Sequence, residues 1–124
     1  MKIKLDPLDK LLTRYLRLKT NNTCEYCGRV GYVETSHFHS RRKWITRLDE
    51  DNVAALCREC HRRFEEHHNL HCDFFKRKLG SDKYEALNAR SEIVKKRTKE
   101  DVEAIKTNLK EKIRIYEEVS DNIC

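Results

Sequence analysis

Two identical pairs, Cys24-Glu25-Tyr26-Cys27 and Cys57-Arg58-Glu59-Cys60, flank a basic stretch that carries histidines, and they decide how this chain folds. A C-x-x-C pair in a tight turn aims two sulfurs at one ion, and two such pairs complete the tetrahedral ligand set of a structural zinc. Gly28, directly after the first pair, relieves the backbone where the knuckle must bend. Because Cys27 and Cys57 are far apart in sequence, closing the tetrahedron joins distant parts of the chain. It pins the base of the segment Ser36 to Asp51 and sets where His37, Asn52 and His61 stand relative to one another. Cys72 and Cys124 are left over and read as inert thiols.

Composition explains why a staple is needed. The chain has 124 residues, of which 39% are charged, and Leu, Ile, Val and Phe together number only 29. That is room for one domain with an appendage and a thin core, which excludes barrels and dinucleotide folds. The first residues alternate charge with apolar side chains and offer no run long enough for a signal peptide, and no stretch approaches the ~20 apolar residues of a membrane span. A cytosolic location follows as the expectation, and in that reducing setting paired cysteines hold zinc rather than disulfides. The net charge of +6 makes a polyanion the first partner to consider.

Read along its length, the chain predicts a small hairpin in a mainly helical protein. Leu5, Leu8, Leu12, Tyr15 and Leu16 outline an amphipathic helix starting at Asp6-Pro7, and Thr20 to Thr23 break it. A strand is expected over Val30 to Thr35. A polar loop follows from Ser36 to Asp51, with a second short strand near Trp44 and Ile45. A helix then begins at Asp51 or Asn52 and runs through Val53 into the second cysteine pair, and another spans His61 to about Lys78, ending at Gly80. Ser81-Asp82 restarts helix, giving tail segments from Lys83 to Lys96 and from Lys99 to Val119, the second capped by Thr98 with Asp101. Val102, Ile105, Leu109, Ile113 and Tyr116 form one apolar stripe, which must pack on this chain or on a second copy. The expected division is 1–22 as an N-terminal helix, 23–79 as the zinc-bound core and 80–124 as a helical tail.

His37, then Asn52 five residues before Cys57, then His61 directly after Cys60, resembles the HNH nuclease motif of the ββα-metal fold. Ser36-His-Phe-His-Ser-Arg-Arg42, Thr46-Arg-Leu-Asp49, Asn52-Val-Ala-Ala and Leu79-Gly-Ser-Asp-Lys-Tyr-Glu-Ala-Leu87 are similar to the NinG (Rap) family of phage recombination proteins. The cysteine frame and histidine loop also look like the zinc-stapled resolvase endonuclease VII. The resemblance implies a metal-dependent DNA endonuclease acting in the cytoplasm of a bacterial host. It would use Mg2+ or Mn2+ on branched recombination DNA. The fold implied is a zinc-stapled ββα-metal core between an N-terminal helix and a helical tail.

Zinc held by four thiolates has no open position, so chemistry needs a second site. His37 is the candidate base, because imidazole is largely neutral at cytosolic pH and accepts a proton. By resemblance, the amide of Asn52 bridges the backbone of the histidine loop and His61 faces the catalytic cation. Many HNH proteins place Asp or His before the base, whereas this chain has Ser36, a weak cation ligand. Its substitutes, in order, are His39, two positions beyond His37, then Glu65, one helical turn beyond His61, then Glu34. His39 has an alternative role in orienting the scissile phosphate.

Each of these residues also has a plainer reading. Asn52 is a fitting helix cap, Trp44 a fitting core residue rather than a wedge against a base, and a lone histidine more often a hydrogen-bonded one. His67, His68 and His71 span more than one helix face and are not read as a second metal site. Arg41, Arg42, Lys43, Arg47 and Arg62 gather around the site and are the expected phosphate contacts, with Arg58 and Arg63 beside them. No base-reading helix is evident, so recognition by shape is expected. The rival readings are a DNA-binding module whose nuclease centre has decayed, favoured by Ser36, and a zinc adaptor acting through the tail. A homodimer through the tail stripe is the expected assembly.

Overall fold

Asp6 and Pro7 start the first helix, α1 (Pro7–Thr20): the Asp6 carboxylate accepts from the Leu8 N–H at 2.9 Å, and Pro7 sits where its missing N–H costs nothing. It ends where Asn21 and Asn22 turn left-handed, at φ 53° and 54°. The computed structural model describes residues 6–122. Leu5, the first residue of the predicted α1 stripe, and Cys124 lie outside them.

The hairpin is made differently from the expected one. Strand β1 (Glu34–His37) pairs antiparallel with β2 (Val53–Leu56), Glu34 opposite Leu56 and His37 opposite Val53. The first strand therefore starts later than predicted and reaches His37. Gly31 at φ 143° and the exposed Tyr32 keep the preceding segment out of the sheet, apart from a single bridge between Val30 and Thr23. The second strand is the apolar run predicted as the start of a helix. A short buried run has no periodicity to tell strand from helix, and pairing with β1 decides it. The Trp44-Ile45 region is a helical turn instead of a strand, α2 (Trp44–Arg47), followed by a 3-10 turn at Glu50–Asn52.

Helix α3 (Arg58–Glu66) starts inside the second cysteine pair, with Cys57 at its N-cap, and is followed by α4 (His68–Leu79), where one helix was expected from His61 to about Lys78. The break at His67 lets α4 fold back, so that the His71 ring stacks on Phe64 at 5.1 Å and Phe74 meets the same ring at 5.2 Å. A continuous helix would carry those rings away from each other. Helix α5 (Ser81–Ser91) starts after Gly80, at φ 80°, and stops short of the predicted Lys96. Helix α6 (Lys99–Asn122) is capped by Thr98, whose hydroxyl accepts from the Asp101 N–H at 3.1 Å.

Helix α6 lies along α1. Leu109 and Ile113 are buried in the same cluster as Leu12, Leu16, β2 and Phe64, with Ile105 and Tyr116 packed against it. Each fully buried Leu or Ile side chain contributes about 1.5–3 kcal/mol. The stripe is thus covered by this chain, which removes the reason for expecting a second copy on it. Glu50 ties the same elements together, accepting from Tyr15 at 2.9 Å, from Lys112 at 3.1 Å and from Lys19. Burial alone would raise the Glu50 carboxyl, but these donors outweigh it and hold it down to about 2. A carboxyl depressed by folding stabilises above its unfolded value near 4.3, and that contribution fades as pH falls toward 2. Glu50→Gln should therefore destabilise the fold by about 1 kcal/mol at pH 7, a modest figure because the group is partly solvated. In thermal melts the gap from wild type should narrow below pH 5. A gap that stays constant with pH would mean that the charge of Glu50 is not the cause.

Candidate functional site

The two knuckles meet as the spacing predicts. The sulfurs of Cys24, Cys27, Cys57 and Cys60 all lie within 4.8 Å of one another, and Cys27 Sγ is 3.8 Å from Cys57 Sγ. A tetrahedron with Zn–S bonds of about 2.3 Å has edges near 3.8 Å, so the four are positioned to bind a zinc ion. Burial, and after it the neighbouring sulfurs of Cys57, Cys27 and Cys24, push the Cys60 thiol upward. Four thiolates at this spacing need a cation among them. Glu25 clamps the first knuckle to the hairpin: its N–H donates to the Ala55 carbonyl at 2.9 Å, and its carboxylate accepts from the Ala55 N–H at 2.6 Å. Of the leftover thiols, Cys72 lies 3.3 Å from His68 Nε2 on α4, away from the cluster.

Beside this frame opens a cleft of about 520 Å³, lined among others by Glu34, Ser36, His37, His61, Glu65 and His71. The hairpin brings β1 and the adjoining face of α3 to it. His37 Nε2 lies 3.0 Å from the Arg47 carbonyl. A carbonyl only accepts, so the proton sits on Nε2, and Nδ1 is the ring's acceptor. Burial pushes the His37 imidazole down to about 4, so it stands neutral at physiological pH. His61 is oriented in the opposite sense: Nδ1 is 2.7 Å from a Glu34 carboxylate oxygen, which holds the proton there. Its Nε2 lies 3.4 Å from a Glu65 oxygen, one helical turn further along α3. A carboxylate behind a metal-binding histidine is the usual way to set its tautomer. Two further polar atoms on the cleft residues, Ser36 Oγ and His71 Nε2, are buried and unpartnered. In the cleft, His61 and Glu65 offer one nitrogen and one oxygen to a divalent cation, which would keep several waters.

Asn52 holds this arrangement from behind. It is fully buried. Its side-chain oxygen accepts from the His39 N–H at 2.7 Å, while Nδ2 donates to the carbonyls of His39 at 3.1 Å and Thr46 at 3.0 Å. The amide fixes α2 one residue before the carbonyl that holds His37. Asn52→Ala should cost about 3 kcal/mol by leaving these buried groups unpaired. Asn52→Asp should do no better, since a carboxylate cannot donate to two carbonyls. Equal melting temperatures for wild type and Asn52→Asp would dismiss this role.

The remaining candidates divide. His39 is not among the cleft-lining residues; its Nε2 lies 2.8 Å from Asn88 Oδ1 on α5, and its ring packs on Phe38. Arg47 also has another task, its guanidinium bonding the buried Asp9 of α1, with Nε 3.1 Å from Oδ1. Arg41 shares that carboxylate at 2.7 Å. Arg42, Lys43 and Arg62 are exposed, without a carboxylate partner among the described residues. Trp44 is half-buried under the Arg97 guanidinium, 4.7 Å from its ring.

Residues 24–73 match the model of the HNH endonuclease family. The matched span holds both cysteine pairs, the hairpin, His37, Asn52 and α3, and it ends inside α4. This HNH segment supports a nuclease or DNA-binding role. No curated protein and no solved structure matches the chain.

The sequence offers Glu34 as the third possible ligand, on its alternation with Ser36, and the structure places it on the cleft. His71, inside the matched span, and Arg17 of α1 have no such signal, because each reaches the cleft only through helix packing. Among the described residues, no helix is long and apolar enough to cross a membrane.

Proposed function

We propose that the protein is a divalent-cation-dependent endonuclease that hydrolyses DNA phosphodiesters to 5′-phosphate and 3′-hydroxyl ends. The observation that carries this reading is the opposed setting of two histidines on one cleft. The Arg47 carbonyl leaves His37 Nδ1 as acceptor, and the Glu34 carboxylate engages His61 Nδ1, so that Nε2 is the ring nitrogen left for a cation. His37 takes the proton of the attacking water at Nδ1. His61 and Glu65 are the residues that would hold Mg2+ or Mn2+, with Ser36 and His71 at the margin of the site. When bound, such a cation supplies Lewis-acid stabilisation of the charge that builds on the phosphorane and the departing 3′ oxygen. Glu34 keeps the proton on His61 Nδ1, and Asn52 holds the segment after His37, with the Arg47 carbonyl, in place. Arg42, Lys43 and Arg62 contact phosphates on either side.

Branched recombination DNA is the substrate class, and phage recombination in a bacterial cytoplasm the setting. Both are supported by the resemblance of the Ser36–Arg42 and Leu79–Leu87 stretches to NinG. Ser36 favours one rival, a module that binds such DNA without cutting it. Incubating the protein with a junction, a flap and a linear duplex in Mg2+ or Mn2+, beside His37→Ala, tests the reading. Cutting by wild type alone, strongest on the branched substrates, supports it. Undiminished binding with no cutting by either protein supports the module.

A further inference from the structure

Outside the HNH segment, α1 contributes a wall of the cleft, and one of its residues joins an arrangement that neither zinc nor proton transfer explains. Tyr32 stands 57% exposed on the cleft rim in the loop before β1. Two guanidiniums approach its ring, Arg17 of α1 and Arg58 at the start of α3, each with its central carbon 5.3 Å from the ring centre. Arg17 also donates from Nε to the Val33 carbonyl at 2.9 Å, which fixes the direction of its fork. Neither arginine has a carboxylate partner among the described residues, although Arg14, Arg29, Arg41 and Arg47 nearby all have one. A tyrosine flanked by two unpaired guanidiniums concentrates positive charge that like-charge repulsion would otherwise disperse. The ring faces compensate for that repulsion, and the planar forks stay presented to solvent.

The geometry points to a phosphate clamp: Arg17 and Arg58, held on Tyr32, grip a backbone phosphate of the cut strand adjacent to the one at the cleft centre. Arg58 stands three residues before His61 on the same face of α3, about 4.5 Å along the axis. An arginine fork matches phosphate oxygens in pairs and reads no base. The clamp thus positions a strand without sequence preference and ties α1 to the substrate. It rests on the nuclease reading for the identity of the polyanion.

The test measures DNA binding over a series of salt concentrations in a His37→Ala background, so that the DNA stays intact. Combining Arg17→Ala with Arg58→Ala should weaken binding roughly tenfold. It should also lower the slope of log affinity against log salt by about 1, the value for one lost phosphate. Tyr32→Leu, which changes no charge, should weaken binding in the same direction. Arg77→Ala, an exposed side chain on α4, should leave affinity within twofold. Arg58→Ala alone should melt like its parent, since its side chain is exposed. Binding and slope unchanged in the double variant would overturn the clamp while the nuclease reading stands. A parent protein that does not bind DNA at low salt would overturn the nuclease reading and the clamp with it.

Discussion

Chelating zinc, or replacing Cys57 with serine, should unfold the protein instead of merely loosening it. The four sulfurs are the only group of metal-ligating side chains found to converge among the described residues, and they join the loop after α1 to the junction of β2 and α3. Structural zinc in small domains contributes an apparent 10–16 kcal/mol near neutral pH, against a total stability of about 5–15 kcal/mol for an ordinary domain. The hairpin has four residues in each strand and cannot persist without its staple. Helix α1 packs on that hairpin and α6 on α1, and an isolated helix of the length of α1 is marginal in water. Circular dichroism with a competing chelator should show loss of cooperative melting, restored by returning Zn2+. A chelated protein that keeps its melting temperature would show that the cysteine cluster is dispensable to the fold.

His37→Ala should lower cleavage by about 10²–10⁴-fold, the range for removing a positioned acid or base. DNA binding should stay within twofold of wild type, because the imidazole is neutral, mostly buried and bonded to the Arg47 carbonyl. The variant leaves that carbonyl unpaired, so some loss of stability accompanies the loss of activity, and melting curves separate the two. His37→Gln retains a donor for the carbonyl but no imidazole lone pair, so it should recover stability and not cleavage. Cleavage within tenfold of wild type in both variants would remove His37 from the mechanism.

The residues differ in how plainly their roles can be read. The zinc frame was legible because C-x-x-C spacing is a local property: the turn that brings two sulfurs together lies within four residues. Asp6-Pro7 and Thr98 were legible for the same reason, since caps depend on adjacent backbone groups. The second strand was misread as helix because Val53-Ala-Ala-Leu56 is apolar at every position, and only its partner across the hairpin tells strand from helix. The break at His67 was hidden because it answers to Phe64, His71 and Phe75 meeting across two helices. Arg47, read as a phosphate contact from its place in a basic run, is bonded to an aspartate 38 residues away.

By itself, the sequence determined that four cysteines would converge to staple a thin-cored, basic, mainly helical chain, and it set His37, Asn52 and His61 at a spacing that resembles the HNH motif. Tertiary structure alone decided which histidines line the cleft, that Glu34 orients His61, that the α6 stripe closes on α1, and which arginines remain unpaired. The reason is range. Turn and cap energies come from neighbouring residues, whereas a tautomer, a neutralised charge or a covered apolar face depends on groups that meet only when distant segments pack.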